Sequence, residues 1–302
     1  MKPGLSTNIG PIKLSKPTML ASGILGISLD VFARIYEAGA GAVVTKSLSK
    51  EPWEGYPNPT VIGVDGGFLN AVGLSNPGAP YFSKMISSNT EIPIIVSLVG
   101  SDENDFTFMI DQFENVKILG YELNLSCPHV DKVGLEVGDD PELVKKIVTT
   151  IKSHTTIPVI AKVGLGATNY LETVKVAIDS GVDAITAINT IRAMAIDVET
   201  QMPTLSNKIG GLSGPAIKPI AVRCVYEISK EYGIPIIGCG GVSRWEDAIE
   251  FFLAGASSVQ IGSAVSDGWI NVFGEINDGI SKYMERKGFS KISEMVGLGK
   301  KP

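Results

Sequence analysis

The sequence predicts an α/β protein built as a single (β/α)8 TIM barrel, with an N-terminal hairpin and insertions after strands two, four and six. Three observations carry this expectation. Short apolar runs alternate with longer amphipathic segments from end to end, the pattern of parallel strands joined by helices. Eight such units fit into 302 residues with no break in composition, so one domain over 1–302 is expected. The turn after the first strand reads Ala21-Ser22-Gly23-Ile24-Leu25-Gly26 and not the GxGxxG of a doubly wound nucleotide-binding sheet.

Strands are predicted at Thr18–Ala21, Ala42–Thr45, Ile94–Val99, Tyr121–Asn124, Val159–Val163, Ala184–Ala187, Ile236–Gly238 and Ser258–Ile261. Helical periodicity falls between them, over Leu29–Ala38, Pro80–Ser88, Asn104–Asn115, Pro141–Ser153, Asn169–Ser180, Pro215–Tyr232, Arg244–Ala254 and Trp269–Lys287. Residues 4–15 read as a hairpin that caps the barrel bottom. The Pro/Gly-rich stretch 47–79 and the segment 191–213 are longer than a barrel connection needs, and loops of that length in compact domains are usually functional.

Composition narrows the function. A net charge of −6 makes nucleic acid and anionic membrane surfaces poor partners. Three scattered cysteines form neither a disulfide framework nor a CxxC site, and two histidines exclude a histidine-rich metal centre, so no metal is expected. Lys2, Lys13 and Lys16 among Pro3, Pro11 and Pro17 leave no secretory apolar region, and runs such as Ile157–Ala161 fall far short of the ~20 residues of a membrane span. A soluble, reduced, cytoplasmic chain is expected.

Glycines mark the far end of the barrel. Gly238-Cys239-Gly240-Gly241-Val242-Ser243 follows strand seven, Gly262-Ser263-Ala264 follows strand eight, and Gly210-Gly211-Leu212-Ser213-Gly214-Pro215 precedes a helix with proline in its first turn. Barrels commonly hold a phosphate there with backbone N–H groups, which glycine lets approach an anion closely. A phosphate alone fits either a phosphorylated substrate or a flavin mononucleotide.

Active sites of such barrels lie at the C-terminal ends of the strands. Strand four runs into Asn124-Leu125-Ser126-Cys127-Pro128-His129. A cysteine there could be a nucleophile, a base or a small buried residue. Its company favours chemistry: Lys46 after strand two, Lys162 inside strand five, and Asn189-Thr190 after strand six. Lysines inside a barrel are costly unless they meet an anion or an electron-rich ring. Asn70, Asn124 and Asn189 offer donor and acceptor in one plane, which suits the amide edges of a heterocycle, and Cys127 is the available proton acceptor in these motifs.

These residues carry a resemblance over nearly the whole chain. Pro17–Gly23, Thr45-Lys46-Ser47, Leu69–Gly78, Asn124–Pro128, Met194–Thr200 and Gly210–Pro219 resemble class 1 dihydroorotate dehydrogenases, most of all the catalytic flavin subunit of the NAD-linked class 1B branch. The resemblance implies FMN across the barrel mouth, touching Ala21, Ser22, Lys46, Ser47, Asn124 and Ile188. Lys162 would lie near the flavin N1/O2 edge, and Gly214, Gly240, Gly241, Gly262 and Ser263 would hold the phosphate. Dihydroorotate would stack on the flavin, held by Lys46, Asn70, Val72, Gly73, Leu74, Asn124, Asn189 and Thr190. Cys127 would remove the C5 proton while hydride passes from C6 to flavin N5, so base and flavin must sandwich the ring. Loop 129–140, with glycines at 134 and 138, is expected to act as a lid. The resemblance also implies a homodimer, and a heterotetramer with a subunit carrying FAD and a [2Fe–2S] cluster that passes electrons to NAD+.

Three positions depart from the pattern: His129 and Ser97 where asparagine is usual, and Thr60 near a usual arginine. The stretch Ser126-Cys127-Pro128-His129, with Asp140-Pro141-Glu142-Leu143 after it, is also similar to the flavin domain of dihydropyrimidine dehydrogenases, which act on uracil and thymine. Asn70-x-x-Gly73-Leu74 beside Lys46 suits a substrate carboxylate, which uracil lacks, and so favours dihydroorotate. A non-catalytic FMN-binding barrel is the remaining alternative, disfavoured because Lys46, Cys127 and Lys162 are all present. Cys224 is expected in the core and Cys239 in packing beside the glycines.

Overall fold

Alternation along each strand decides which side chains fill the barrel and which meet the helices. The computed structural model describes residues 3–88, 91–125, 137–166 and 169–301. Strands β1 (Thr7–Ile9) and β2 (Ile12–Leu14) pair antiparallel ahead of β3 (Thr18–Leu20), α1 (Leu29–Glu37) and β4 (Ala42–Val44). The hairpin β5 (Val61–Val64) and β6 (Gly67–Asn70) precedes α2 (Ala79–Ile86), β7 (Ile94–Leu98), α3 (Glu103–Asp111) and β8 (Gly120–Asn124). Then come α4 (Pro141–His154), β9 (Val159–Val163), α5 (Tyr170–Asp179) and β10 (Ala184–Ala187). Four short strands follow: β11 (Ile191–Ala193), β12 (Ile196–Asp197), β13 (Met202–Pro203) and β14 (Gly210–Ser213). The chain closes with α6 (Lys218–Glu231), β15 (Ile236–Cys239), α7 (Trp245–Ala254), β16 (Ser258–Ile261), α8 (Val265–Gly268) and α9 (Val272–Lys287).

Strands β3, β4, β7, β8, β9, β10, β15 and β16 pair in parallel, in chain order, and β16 returns to β3 to close an eight-stranded barrel. All eight predicted strands are the barrel strands. The helices also fall where periodicity puts them, with trimmed ends. Predicted Asn104–Asn115 stops at Asp111 because the amides of Gln112 and Phe113 bond three residues back, to Met109 and Ile110, and tighten the last turn. Local chemistry starts the helices: the Asp102 carboxylate accepts from the Asn104 and Asp105 amides, and Asp140 caps α4 just ahead of Pro141.

The outward-facing strand residues pack with Phe32, Phe82, Phe106, Phe251, Phe252 and Phe273 from the helical layer, each fully buried and contributing roughly 1.5–3 kcal/mol. Inside, Met19, Ala42, Val44, Ile95, Ile160, Ala184 and Ile237 form a separate core with Ile9, Ile12 and Leu14 of the N-terminal hairpin. The hairpin therefore plugs the barrel where the strands begin, and the other end stays open for polar groups.

The two long insertions join each other. Asn70, Leu69 and Phe68 of β6 pair with Gly211, Leu212 and Ser213 of β14, giving an antiparallel sheet in the order β11-β14-β6-β5. Leu69, Ala71 and Leu205 bury in a small core of their own there. Among the described residues, no helix is long and apolar enough to cross a membrane.

Candidate active site

At the open end of the barrel, hydroxyl and amide side chains link in a continuous line. Ser22 follows β3, Ser47 follows β4, and Ser97 lies on the inward face of β7. Their hydroxyls meet in a triangle: Ser47 with Ser97 at 2.9 Å, and Ser22 with each of them at 3.2 Å. The Ser97 amide donates to Thr45 Oγ1 at 2.9 Å, which fixes β7 against β4 at this level. Asn124, at the end of β8, donates from Nδ2 to Ser47 Oγ at 3.1 Å. Asn189 Nδ2 donates to Asn124 Oδ1 at 3.3 Å, and its own Oδ1 accepts from the Thr190 amide at 2.8 Å. The short side chain at position 97 thus completes the hydroxyl triangle.

Lys46 stands next to this line and is half-buried. Burial pulls its ammonium below the ordinary lysine range, and among the described residues no carboxylate offsets that shift. Three residues after Lys46, Ser49 is tied to the far end of the neighbouring insertion through Asn76. That side chain accepts from the Ser49 and Gly78 amides at 3.1 and 2.9 Å, and donates to Ser49 Oγ at 2.8 Å and the Leu74 carbonyl at 2.7 Å. Gly73 and Leu74 turn with φ of +72° and +57°, and a Cβ on Gly73 would lie 2.7 Å from the Tyr56 ring. The Val72 carbonyl accepts from the Tyr56 amide. Asn70 spends its amide on the Gly211 carbonyl at 3.1 Å. Thr60 presents no cation to the site; its hydroxyl bonds Asn58 and its carbonyl accepts from the Ala71 amide.

Below the amide line lies a charged layer that sequence reading did not single out. Lys162 on β9 is buried, as predicted for a lysine inside the barrel, and an internal anion accompanies it. Glu122 on β8, fully enclosed, puts Oε1 3.6 Å from Lys162 Nζ, while Thr186 on β10 and Gln260 on β16 bind its other oxygen. The signal was in the alternation: Glu122 shares the inward face of β8 with Asn124, and Asn124 is in register with Lys162.

The glycines form the third part. Gly214 and Gly241 converge: a Cβ on Gly241, where φ is +74°, would lie 2.7 Å from the Gly214 carbonyl oxygen. Gly240 has φ of +125°, and a Cβ there would press on Ala221 at 2.9 Å. Gly262 and Ser263 stand on the adjacent loop at the start of α8, and Gly262 faces Ala21. Ile188 is buried beyond β10, donates to the Cys239 carbonyl at 2.8 Å, and follows Ala187 through a cis peptide. Asp247, also missed by sequence reading, anchors the cradle loop. It accepts from the Ser243 amide and hydroxyl at 3.0 Å, from the Arg244 amide at 3.1 Å, and from Lys218 at 2.8 Å. Lys218 Cβ is itself 2.8 Å from where a Gly241 Cβ would stand.

Cys127 and His129 lie outside the described residues, as does most of the expected lid 129–140; only its end, 137–140, is described. Cys224 is buried among the helices, as expected. Cys239 lies on the inward face of β15, and burial pushes its thiol up. Among the described residues no group of three or more His, Cys, Asp or Glu side chains is placed to hold a metal ion.

The site thus joins a glycine-lined set of loops, a chain of hydrogen-bonded amide and hydroxyl side chains, and two lysines. A group with a phosphate tail and a flat, hydrogen-bonding ring fits these residues: Gly214, Gly240 and Gly241 leave no room for a Cβ, and the ring's polar edges would meet Asn124, Ser47 and Lys162. Comparison with known proteins points the same way. The family profile described as dihydroorotate dehydrogenase matches residues 4–284. The chain is 46% identical over 291 residues to the protein named dihydroorotate dehydrogenase B (NAD(+)), catalytic subunit, of Pyrococcus furiosus, covering 96% of this chain and 97% of that one. Proteins of the same name from Thermococcus kodakarensis and Thermoplasma volcanium are similar: 45% identical, covering 97% of each chain, and 46% identical, covering 97% of this chain and 98% of the other.

Proposed function

Because the chain belongs to the dihydroorotate dehydrogenase family, we propose that it is the catalytic FMN subunit of an NAD+-linked enzyme that oxidises (S)-dihydroorotate to orotate in pyrimidine biosynthesis. It is an oxidoreductase, and the family is flavin-dependent. The structural observation that carries the substrate assignment is Lys46. Its half-buried ammonium, uncompensated among the described residues, stands on a segment that Asn76 ties to the left-handed Gly73–Leu74 turn. That arrangement seats a carboxylate, which dihydroorotate has and dihydrouracil lacks.

FMN would be held by Ala21, Ser22, Lys46, Ser47, Asn124, Lys162 and Ile188 along the ring, and by Gly214, Gly240, Gly241, Gly262 and Ser263 at the phosphate. Bound FMN supplies the hydride acceptor. Lys162 stabilises negative charge at the ring edge near it. Lys46, Asn70, Val72, Gly73 and Leu74 bind the substrate carboxylate side. Asn124, Asn189 and Thr190 orient the pyrimidine amides, and their mutual hydrogen bonds hold them ready before substrate arrives. Cys127 accepts the proton from C5, with loop 129–140 closing over the substrate. The whole chain 1–302 works as one domain.

Electrons leave through a second protein. The relatives are named catalytic subunits of an NAD(+) enzyme. A homodimer of this chain in a heterotetramer with an FAD/[2Fe–2S] subunit supplies that route, in the cytoplasm. Copurification of such a subunit from the native source tests this.

The deciding experiment is anaerobic reduction of the purified yellow protein. Dihydroorotate bleaches the flavin and dihydrouracil does not. Reduction by dihydrouracil alone overturns the assignment in favour of a dihydropyrimidine dehydrogenase, and a bound flavin that neither compound reduces marks a non-catalytic barrel. Cys127→Ala keeps FMN and slows bleaching by about 10²–10⁴-fold, the contribution of a positioned base. An unchanged rate removes Cys127 from the reaction.

A further inference from the structure

Glu122 is a buried charge for which the proposed chemistry has no role. It projects into the barrel from β8, fully enclosed, and a carboxylate in that position is costly unless charge and hydrogen bonds compensate it. Its two oxygens are treated differently. Oε2 accepts from Thr186 Oγ1 at 2.9 Å and from Gln260 Nε2 at 2.5 Å. Oε1 accepts no hydrogen bond and faces Lys162 Nζ at 3.6 Å, beyond hydrogen-bond reach. Lys162 donates instead to Gln260 Oε1, at 3.1 Å. The Gln260 amide is therefore clamped between the two charges, oxygen toward the ammonium and nitrogen toward the carboxylate. It spaces the pair.

The spacing has a consequence for Lys162. An ammonium carries three donors, and Gln260 takes one. Had Lys162 closed on Oε1, a second donor would be spent on an internal partner. Held at 3.6 Å, the lysine keeps its charge compensated and its remaining N–H groups free for a ligand at the barrel mouth. Burial alone would pull Lys162 down, but Glu122, with a smaller contribution from Cys239, reverses this and raises its pKa above the ordinary lysine value.

We propose that Glu122 is a positioning residue for the flavin-side lysine: spaced by Gln260, it fixes the Lys162 ammonium in place and tempers its attraction for negative charge on the bound ring. Glu122 thereby sets how readily the cofactor accepts electrons. This rests on the reading of Lys162 as the flavin-side cation. A pair that only ties β8, β9 and β16 together would affect stability and leave the cofactor's redox balance unmoved.

The test is the midpoint potential of the bound flavin, read by equilibration with a redox dye, alongside the FMN dissociation constant. Glu122→Gln keeps the shape and removes the opposing charge; at mildly acidic pH, where Lys162 keeps its proton without that carboxylate, the reduced-to-oxidised ratio at fixed dye potential rises by about tenfold. Gln260→Met keeps both charges and removes the spacer; Lys162 closes on Oε1, its attraction for the ring weakens, and the ratio falls. Unchanged ratios in both variants, or shifts of the same sign, overturn the proposal. Should E122Q fail to fold, Q260M alone decides it by falling or not. Lys162→Gln separates the two layers of inference. If it too leaves the ratio unchanged, the flavin-side reading of Lys162 fails; if it lowers the ratio while E122Q and Q260M do nothing, only the role of Glu122 fails.

Discussion

Asn70 donates its side-chain amide to the Gly211 carbonyl oxygen at 3.1 Å, and the two residues are also paired across β6 and β14. One side chain thus fastens the insertion after the second barrel strand to the insertion after the sixth. The same amide belongs to the proposed substrate set, so it holds the sheet while it waits for ligand. Asn70→Ala removes both functions. Orotate binding, followed by quenching of flavin fluorescence, is expected to weaken by about 10–100-fold, the range of a hydrogen bond to a charged group. Unaltered binding would confine Asn70 to the sheet.

Lys46 makes a pH prediction. Burial lowers its pKa from the ordinary 10.5, so the ammonium loses its proton earlier on the alkaline side than an exposed lysine does. If Lys46 binds the substrate carboxylate, orotate affinity falls as pH rises toward that lowered value, with free FMN affinity less affected. Lys46→Arg keeps the charge at all accessible pH and removes the alkaline limb, at a cost in affinity because the guanidinium fork differs in shape. Titrating orotate between neutral and strongly alkaline pH checks both; an alkaline limb that persists in the arginine variant belongs to another group.

The barrel was legible because its information is local. Alternation and period separate Val159–Val163 from Pro141–His154 without reference to any distant residue. The pairing of the insertions was not legible, since Asn70 and Gly211 are far apart in the chain and β6 reads as part of a Pro/Gly-rich loop. Gly214 and Gly241, read from separate motifs, meet where a Cβ would intrude. Glu122 escaped notice for the opposite reason. A single carboxylate in a short strand becomes meaningful only when Lys162, Thr186 and Gln260 arrive from three other strands. Asp247 is similar, an ordinary first-turn acid until the cradle loop folds onto it.

Gly241 tests the cradle. At φ of +74°, with the Gly214 oxygen 2.7 Å from the position of a Cβ, alanine strains the backbone and pushes two loops apart. About 1–3 kcal/mol of strain is expected. FMN retention is expected to drop at least tenfold in fluorescence titrations, while far-UV circular dichroism stays that of the parent barrel. Full flavin content in Gly241→Ala would move the phosphate elsewhere.

Asp247 links that cradle to stability through pH. Burial pushes its carboxyl up, but hydrogen bonds from Lys218 and Ser243 outweigh this and hold it below the ordinary value of 3.8. A depressed carboxylate stabilises the fold fully above its unfolded pKa, and that contribution disappears as pH falls through the lower, folded value. Asp247→Asn keeps the shape but gives up the charge, so at neutral pH it should cost about 2 kcal/mol, since charge-assisted bonds are replaced by neutral ones. The gap between parent and variant should stay constant from neutral pH down to the ordinary carboxylate range and close below it. Denaturant unfolding of both proteins across that range measures the gap directly. A difference that does not vary with pH would mean that the Asp247 charge contributes nothing and that only its hydrogen-bonding geometry anchors the loop.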